Sequence, residues 1–154
     1  MNRLFIIYLF SIFLPAKTLL GLDTIAKQAI IYDVNSKSVI FEKNADELMS
    51  PSSMSKLLTV YYVFKQLKEG NISINDKFTV SKKAWKKGGS RMFLKLNSEV
   101  SIEDLLRGII VQSGNDACIT IAEGFSGSEE NFATELNNLA KDIGLKAVSY
   151  THLR

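Results

Sequence analysis

The chain has 154 residues, 46% of them hydrophobic and 23% charged, with a net charge of +3. That length suffices for one domain with its own core, and the composition excludes a disordered or low-complexity protein. The mild charge excludes a binder built on a basic nucleic-acid platform. The one lysine cluster, Lys82, Lys83, Lys86 and Lys87, reads as a solvated helix face.

Met1-Asn2-Arg3 gives a short basic start, and Leu4 to Leu14 is almost wholly apolar. The run is too short to span a bilayer, which takes about 20 residues. Residues 1–21 are therefore read as a secretory signal peptide without a clean cleavage site, so the mature chain is expected to be exported to the periplasm. Ala26 to Asp33 and Ser38 to Lys43 are β-rich and flank the turn-forming Asn35-Ser36-Lys37, which predicts an antiparallel hairpin. After the connecting stretch from Asn44 to Pro51, Ser53 is expected to cap a helix. Met54, Leu57, Leu58, Tyr61, Tyr62, Phe64 and Leu67 form its apolar face, and Gly70 ends it.

Asp76 to Val80 suggests a short strand, and Ser81 a cap for a brief helix carrying Trp85. Gly88-Gly89-Ser90 breaks that helix, and Met92-Phe93-Leu94 reads as extended. Ser101 with Asp104 resembles a capping pair for a helix from Ile102 to about Val111. Ser113-Gly114-Asn115 interrupts the helical pattern, which resumes from Asp116 to about Phe125. Ser128 caps a last helix, with Glu129 and Glu130 in its first turn against the helix dipole, ending near Gly144.

Cys118, the single cysteine, lies in an apolar helical run and reads as a buried structural thiol. One cysteine and one histidine, His152, leave nothing with which to build a zinc site, and no metal or other cofactor is expected.

Ser53-Met54-Ser55-Lys56 fits Ser-x-x-Lys. Residues three apart share a helix face, so Lys56 would lie within reach of the Ser53 hydroxyl. A serine hydroxyl is a weak nucleophile until a base takes its proton, and a lysine can do so only when neutral. The spacing alone carries little weight. With 16 serines and 15 lysines in the chain, chance supplies roughly one or two matches, and Ser-x-Asn occurs twice, at Ser73 and at Ser113. Context separates those two. Ser73-Ile74-Asn75 lies just past a helix end and reads as a turn, whereas Ser113-Gly114-Asn115 sits between two apolar helices, where a polar loop can face a cleft.

Longer stretches are more specific. Pro51 to Leu58 (PSSMSKLL), Gly89 to Leu94 (GSRMFL) and Arg107 to Cys118 (RGIIVQSGNDAC) closely resemble the low-molecular-mass penicillin-binding proteins that are serine-type D-alanyl-D-alanine carboxypeptidases. The likeness runs from about Ala26 to about Leu145. It implies an α+β fold of the β-lactamase/transpeptidase type, with a helical subdomain and the start of an antiparallel sheet, incomplete in this chain. It also implies that Ser53 is the nucleophile, Lys56 the general base, Ser113 a proton relay to the leaving D-alanine, and Asn115 a substrate-binding residue that also holds Lys56. The implied partners are peptidoglycan stem peptides ending in D-Ala-D-Ala and the β-lactams that mimic them. The family also implies membrane contact through a C-terminal region, and hence inner-membrane association.

The family's third motif, Lys-Thr-Gly, does not occur in the chain. Residues 22–147 are accordingly read as a partial catalytic domain. Residues 148–154 (VSYTHLR) resemble a translated sequencing adapter, which would leave His152 without a role; the other reading is a genuine strand entry, since the family resemblance implies a threonine-histidine pair near this place. Two other readings stand beside the carboxypeptidase. One is a class A β-lactamase, which usually has aspartate where Gly114 stands. The other is a non-catalytic envelope protein that binds peptidoglycan.

Overall fold

The computed structural model describes residues 21–153, so all but the last residue of the expected signal peptide lies outside the described residues. The chain divides after Glu47 into two units.

The first unit is a hairpin. β1 (Ala29–Asp33) pairs antiparallel with β2 (Ser38–Lys43), Ala29 opposite Lys43 and Asp33 opposite Ser38, with a register irregularity between Ile31 and Tyr32. The ladder begins three residues later than the β-rich run suggests. Ahead of it, the carbonyls of Thr24 and Lys27 accept from the side chains of Lys43 and Asn44. At the turn, Asp33 accepts from the Ser36 hydroxyl at 2.7 Å and the Asn35 N–H at 2.9 Å. These bonds, the Ser36 hydroxyl first, favour the carboxylate and hold it below its ordinary pKa.

The second unit is built on helices. In chain order it holds a 3-10 turn (Ser52–Ser55), α1 (Lys56–Lys68), β3 (Lys77–Thr79), α2 (Lys82–Lys86), β4 (Glu99–Ser101), α3 (Ile102–Gln112), α4 (Asn115–Ser126) and α5 (Glu129–Asp142). α4 is central: Asp116 through Ala122 are all buried, and the helix packs against α2, α3, α5 and β3. Around it Leu105, Ile109, Phe132 and Leu136 close the core. The rings of Tyr62, Phe125, Phe132 and Phe78 meet edge-on or stacked at centroid distances of 4.9–6.3 Å.

Three of the expected serine caps form as read. Ser81 accepts from Ala84 N–H at 3.0 Å, Ser101 from Asp104 N–H at 3.1 Å, and Ser128 from Asn131 N–H at 3.0 Å. Each satisfies an amide that the first helical turn leaves without a partner. Ser128→Ala should cost about 1 kcal/mol, read from urea unfolding midpoints. β3 is shorter than the predicted 76–80, and its partner β4, Lys77 opposite Ser101, was not anticipated. The run 92–94 forms a loop rather than a strand, because Phe93 stands at φ +61, outside the extended region. The lysine cluster is not simply solvated. Lys83 pairs with Glu129 at 3.0 Å and Glu130 at 3.2 Å, and Lys87 donates to the Leu153 carbonyl at 3.3 Å.

Residues 150–153 lie on this unit. Tyr150 exchanges hydrogen bonds with Asn137 and donates its hydroxyl to Ser55 O at 2.7 Å, while Leu153 is buried with its N–H on Glu129.

Gly124 faces the Phe78 ring so closely that any Cβ would run into it. An alanine in mid-helix ordinarily gains about 1 kcal/mol over glycine, but overpacking costs about 1–3 kcal/mol. The clash wins, and Gly124→Ala should lower the melting temperature.

Candidate active site

The turn carrying Ser53 is made by backbone geometry. Ser52 stands at φ +50, and the next residues close a 3-10 turn with Met54 N–H on Pro51 O at 2.9 Å. This corrects the expectation that Ser53 caps the helix. Ser53 lies inside the turn, α1 begins at Lys56, and neither Pro51 nor Ser55, the residues at the two cap positions, makes a side-chain capping bond. The difference matters chemically, because a capping hydroxyl is occupied by a backbone amide and this one is not. In a 3-10 turn, side chains three apart eclipse, which sets Lys56 over Ser53. Lys56 Nζ donates to Ser53 Oγ at 3.3 Å. Ser53 is exposed, whereas Lys56 is 5% exposed, so an accessible hydroxyl is joined to a buried amine.

Ser113 and Asn115 form a second cluster at the α3–α4 junction. Ser113 ends α3 in the left-handed region at φ +53, and the N–H groups of Ser113 and Gly114 both return to Gly108 O, the second at 3.0 Å. The buried Ser113 Oγ has no hydrogen-bond partner among the described residues. Such an atom costs stability unless something uses it. Asn115, one residue earlier than the predicted helix start, opens α4. Its N–H donates to Ser90 O at 2.8 Å and its Nδ2 to Gly88 O at 2.9 Å.

Cys118 is buried in α4. Burial pushes its thiol up to about 12, while the charge of Lys56 pulls the other way. A thiol so buried is not a nucleophile. Cys118 should resist a chromogenic disulfide reagent at pH 8 in the native protein and react fully in guanidinium, as followed by absorbance.

Sequence reasoning passed over Asp116. Its carboxylate is 1% exposed and accepts backbone N–H bonds from Met92 at 3.0 Å, Leu94 at 3.1 Å and Ala117 at 3.0 Å. The available signal was an aspartate heading the run from Ala117 to Ala122, apolar but for Thr120, since a carboxylate at such a place must have partners. A cavity of about 830 Å³ also borders the 3-10 turn, lined by Met49, Ser52, Met54, Leu57, Tyr61 and Leu145 among others. Ser53 does not line it, so this cavity is not the space in front of the candidate nucleophile. No group of three or more metal-ligating side chains occurs among the described residues.

Comparison with known proteins places the chain in a family. Residues 16–153 match the family described as peptidase S11, D-alanyl-D-alanine carboxypeptidase. The chain is similar to the D-alanyl-D-alanine carboxypeptidases DacC of Escherichia coli, 42% identical over 131 residues, and DacF of Bacillus subtilis, 38% identical over 125. Each alignment covers 81% of this chain, and 33% and 32% of the relative, respectively. Among solved structures, DacD from Francisella tularensis superposes with a TM-score of 0.82 at 32% identity, covering 86% of this chain and 32% of that one. Penicillin-binding protein 5 from Haemophilus influenzae does so with a TM-score of 0.78 at 38% identity, covering 82% of this chain and 38% of that one. The transpeptidase-like fold expected from the sequence is thus the fold found, and the chain spans about a third of the length of the curated relatives it matches. This chain belongs to the D-alanyl-D-alanine carboxypeptidase family of S11 peptidases.

Proposed function

We propose that this chain carries the nucleophile and general base of a serine D-alanyl-D-alanine carboxypeptidase, which removes the terminal D-alanine from peptidoglycan stem peptides. The observation that carries the reading is the exposed Ser53 hydroxyl, 3.3 Å from the buried Lys56 amine and spared from helix capping. Lys56, when its amine is neutral, takes the Ser53 proton as Oγ attacks the carbonyl of the penultimate D-alanine. The Ser53 N–H, in the first turn where helical acceptors are lacking, serves the oxyanion. Ser113, whose hydroxyl has no competing partner among the described residues, passes a proton to the departing D-alanine. Asn115 holds substrate and Lys56. Water then frees the acyl group from Ser53.

β-Lactams acylate the same serine on this reading. The Listeria monocytogenes penicillin-binding protein D2, 26% identical, has been solved in ampicillin- and cefotaxime-bound forms. The site of action is the periplasm, with inner-membrane association as part of the same proposal, checked by envelope fractionation.

The activity belongs to a protein of the relatives' length, in which a Lys-Thr-Gly strand completes the oxyanion hole. Assay of that protein on a synthetic stem peptide should release D-alanine, with only slow turnover of a chromogenic cephalosporin. Binding without release would overturn the proposal, as would rapid cephalosporin hydrolysis. The 154-residue chain itself should turn over at least about a hundredfold more slowly, since loss of one oxyanion donor alone costs that much.

A further inference from the structure

We propose that Asp116 is a positioning residue, whose buried carboxylate holds the 88–94 loop against α4 and so fixes the Asn115 carboxamide; the functional part of this proposal rests on the role given to Asn115 above. The Asp116 side chain spans the loop, with Oδ1 accepting from Met92 N–H and Oδ2 from Leu94 N–H. Phe93, between those two amides, sits at φ +61, a conformation that costs a bulky residue on the order of 1–2 kcal/mol. It persists because both neighbouring amides are held. The same loop then grips Asn115, its Gly88 and Ser90 carbonyls accepting the Asn115 amide groups.

Gly89, between those carbonyls, is at φ +79, and a Cβ there would lie 2.7 Å from Asn115 Nδ2. The fit from loop to carboxamide therefore has no slack. With one Nδ2 hydrogen on Gly88 O, the orientation of the carboxamide is set, and its second Nδ2 hydrogen and Oδ1 point where that bond puts them. Free the loop, and the carboxamide loses the contact that sets its orientation. Asp116 reaches the candidate chemistry through this chain of contacts, Asp116 to loop to Asn115. Its Oδ1 also packs under the junction, 3.1 Å from where a Cβ on Gly114 would stand.

Asp116→Asn keeps the size but puts an NH₂ where one of the two loop amides needs an acceptor. The test uses the full-length protein, with acylation by a fluorescent penicillin as one readout and hydrogen exchange of residues 88–94 as the other. In D116N the 88–94 amides should exchange faster, and the acylation rate should fall about 10- to 100-fold, as expected of a displacement near 1 Å at a reacting centre. In an N115A background, D116N should cost no further factor above about two, because the effect passes through Asn115. Gly89→Ala, which pushes on the Asn115 amide from the other end of the loop, should reproduce the loss and be non-additive with D116N. It also carries the acylation test if D116N does not fold.

Unchanged exchange of 88–94 in D116N would overturn the clamp. Wild-type acylation in G89A, or a D116N loss retained in full in N115A, would overturn the route through Asn115. If the wild-type protein is not acylated at Ser53, the proposed function fails, while the exchange readout still decides whether Asp116 holds the loop.

Discussion

Ser53→Ala should abolish covalent labelling of the full-length protein by a fluorescent penicillin and lower D-alanine release on the order of 10⁴-fold or more, as loss of a serine nucleophile does elsewhere. The structure makes this a clean experiment. Ser53 is exposed, caps no helix, and among the described residues its hydroxyl is bonded to Lys56. Removing one exposed oxygen should change stability by no more than about 0.5 kcal/mol. Equal melting temperatures with labelling gone would assign the loss to chemistry. Labelling that survives in S53A would remove Ser53 as nucleophile. Ser52 and Ser55 serve as internal controls. The Ser55 hydroxyl donates to Ser52 O at 2.8 Å, so its substitution should disturb the turn and leave the acylated residue unchanged.

How much of this was legible in the chain depended on the range of the forces involved. The caps at Ser81, Ser101 and Ser128 are local, each a hydroxyl and an amide three residues on, and they were readable. So was the Ser53–Lys56 pair, since any helical turn brings residues three apart together. The turn's type was not readable, because it depends on Ser52 adopting φ +50 with no glycine there to announce it. β4 escaped notice because it is three residues long and is a strand only through its pairing with β3, some twenty residues away. Asp116 was visible as a residue but not as a clamp. Its partners are the backbone amides of Met92 and Leu94, which carry no side-chain signature. The buried hydroxyl of Ser113 is a similar case, since only the packed structure shows that nothing among the described residues satisfies it.

The role of Lys56 can be separated from that of a mere cation. A general base contributes about 10²–10⁴-fold, and it must be able to lose its proton. Arginine keeps its charge under all working conditions, so Lys56→Arg preserves a positive group and removes the base. If Lys56 acts as the base, K56R should acylate no faster than Lys56→Ala, both at least about a hundredfold below wild type. If Lys56 only supplies positive charge to the oxyanion, K56R should retain acylation within about tenfold of wild type, which would overturn the assignment.

Arg is the larger side chain and the site is 5% exposed, so K56R could fail for reasons of packing. The melting temperature of K56R checks the packing, and Lys56→Met tests the amine without adding bulk. Methionine matches the unbranched stem, carries no charge to desolvate and cannot accept a proton. K56M should melt no lower than wild type by more than about 1 kcal/mol in stability and should still be inactive toward penicillin. A folded K56M that acylates at the wild-type rate would leave the Ser53 hydroxyl without its base. Folded and silent, it would assign the loss to the missing amine rather than to unfolding, and K56R then decides whether that amine, 3.3 Å from Ser53 Oγ, acts as base or as charge.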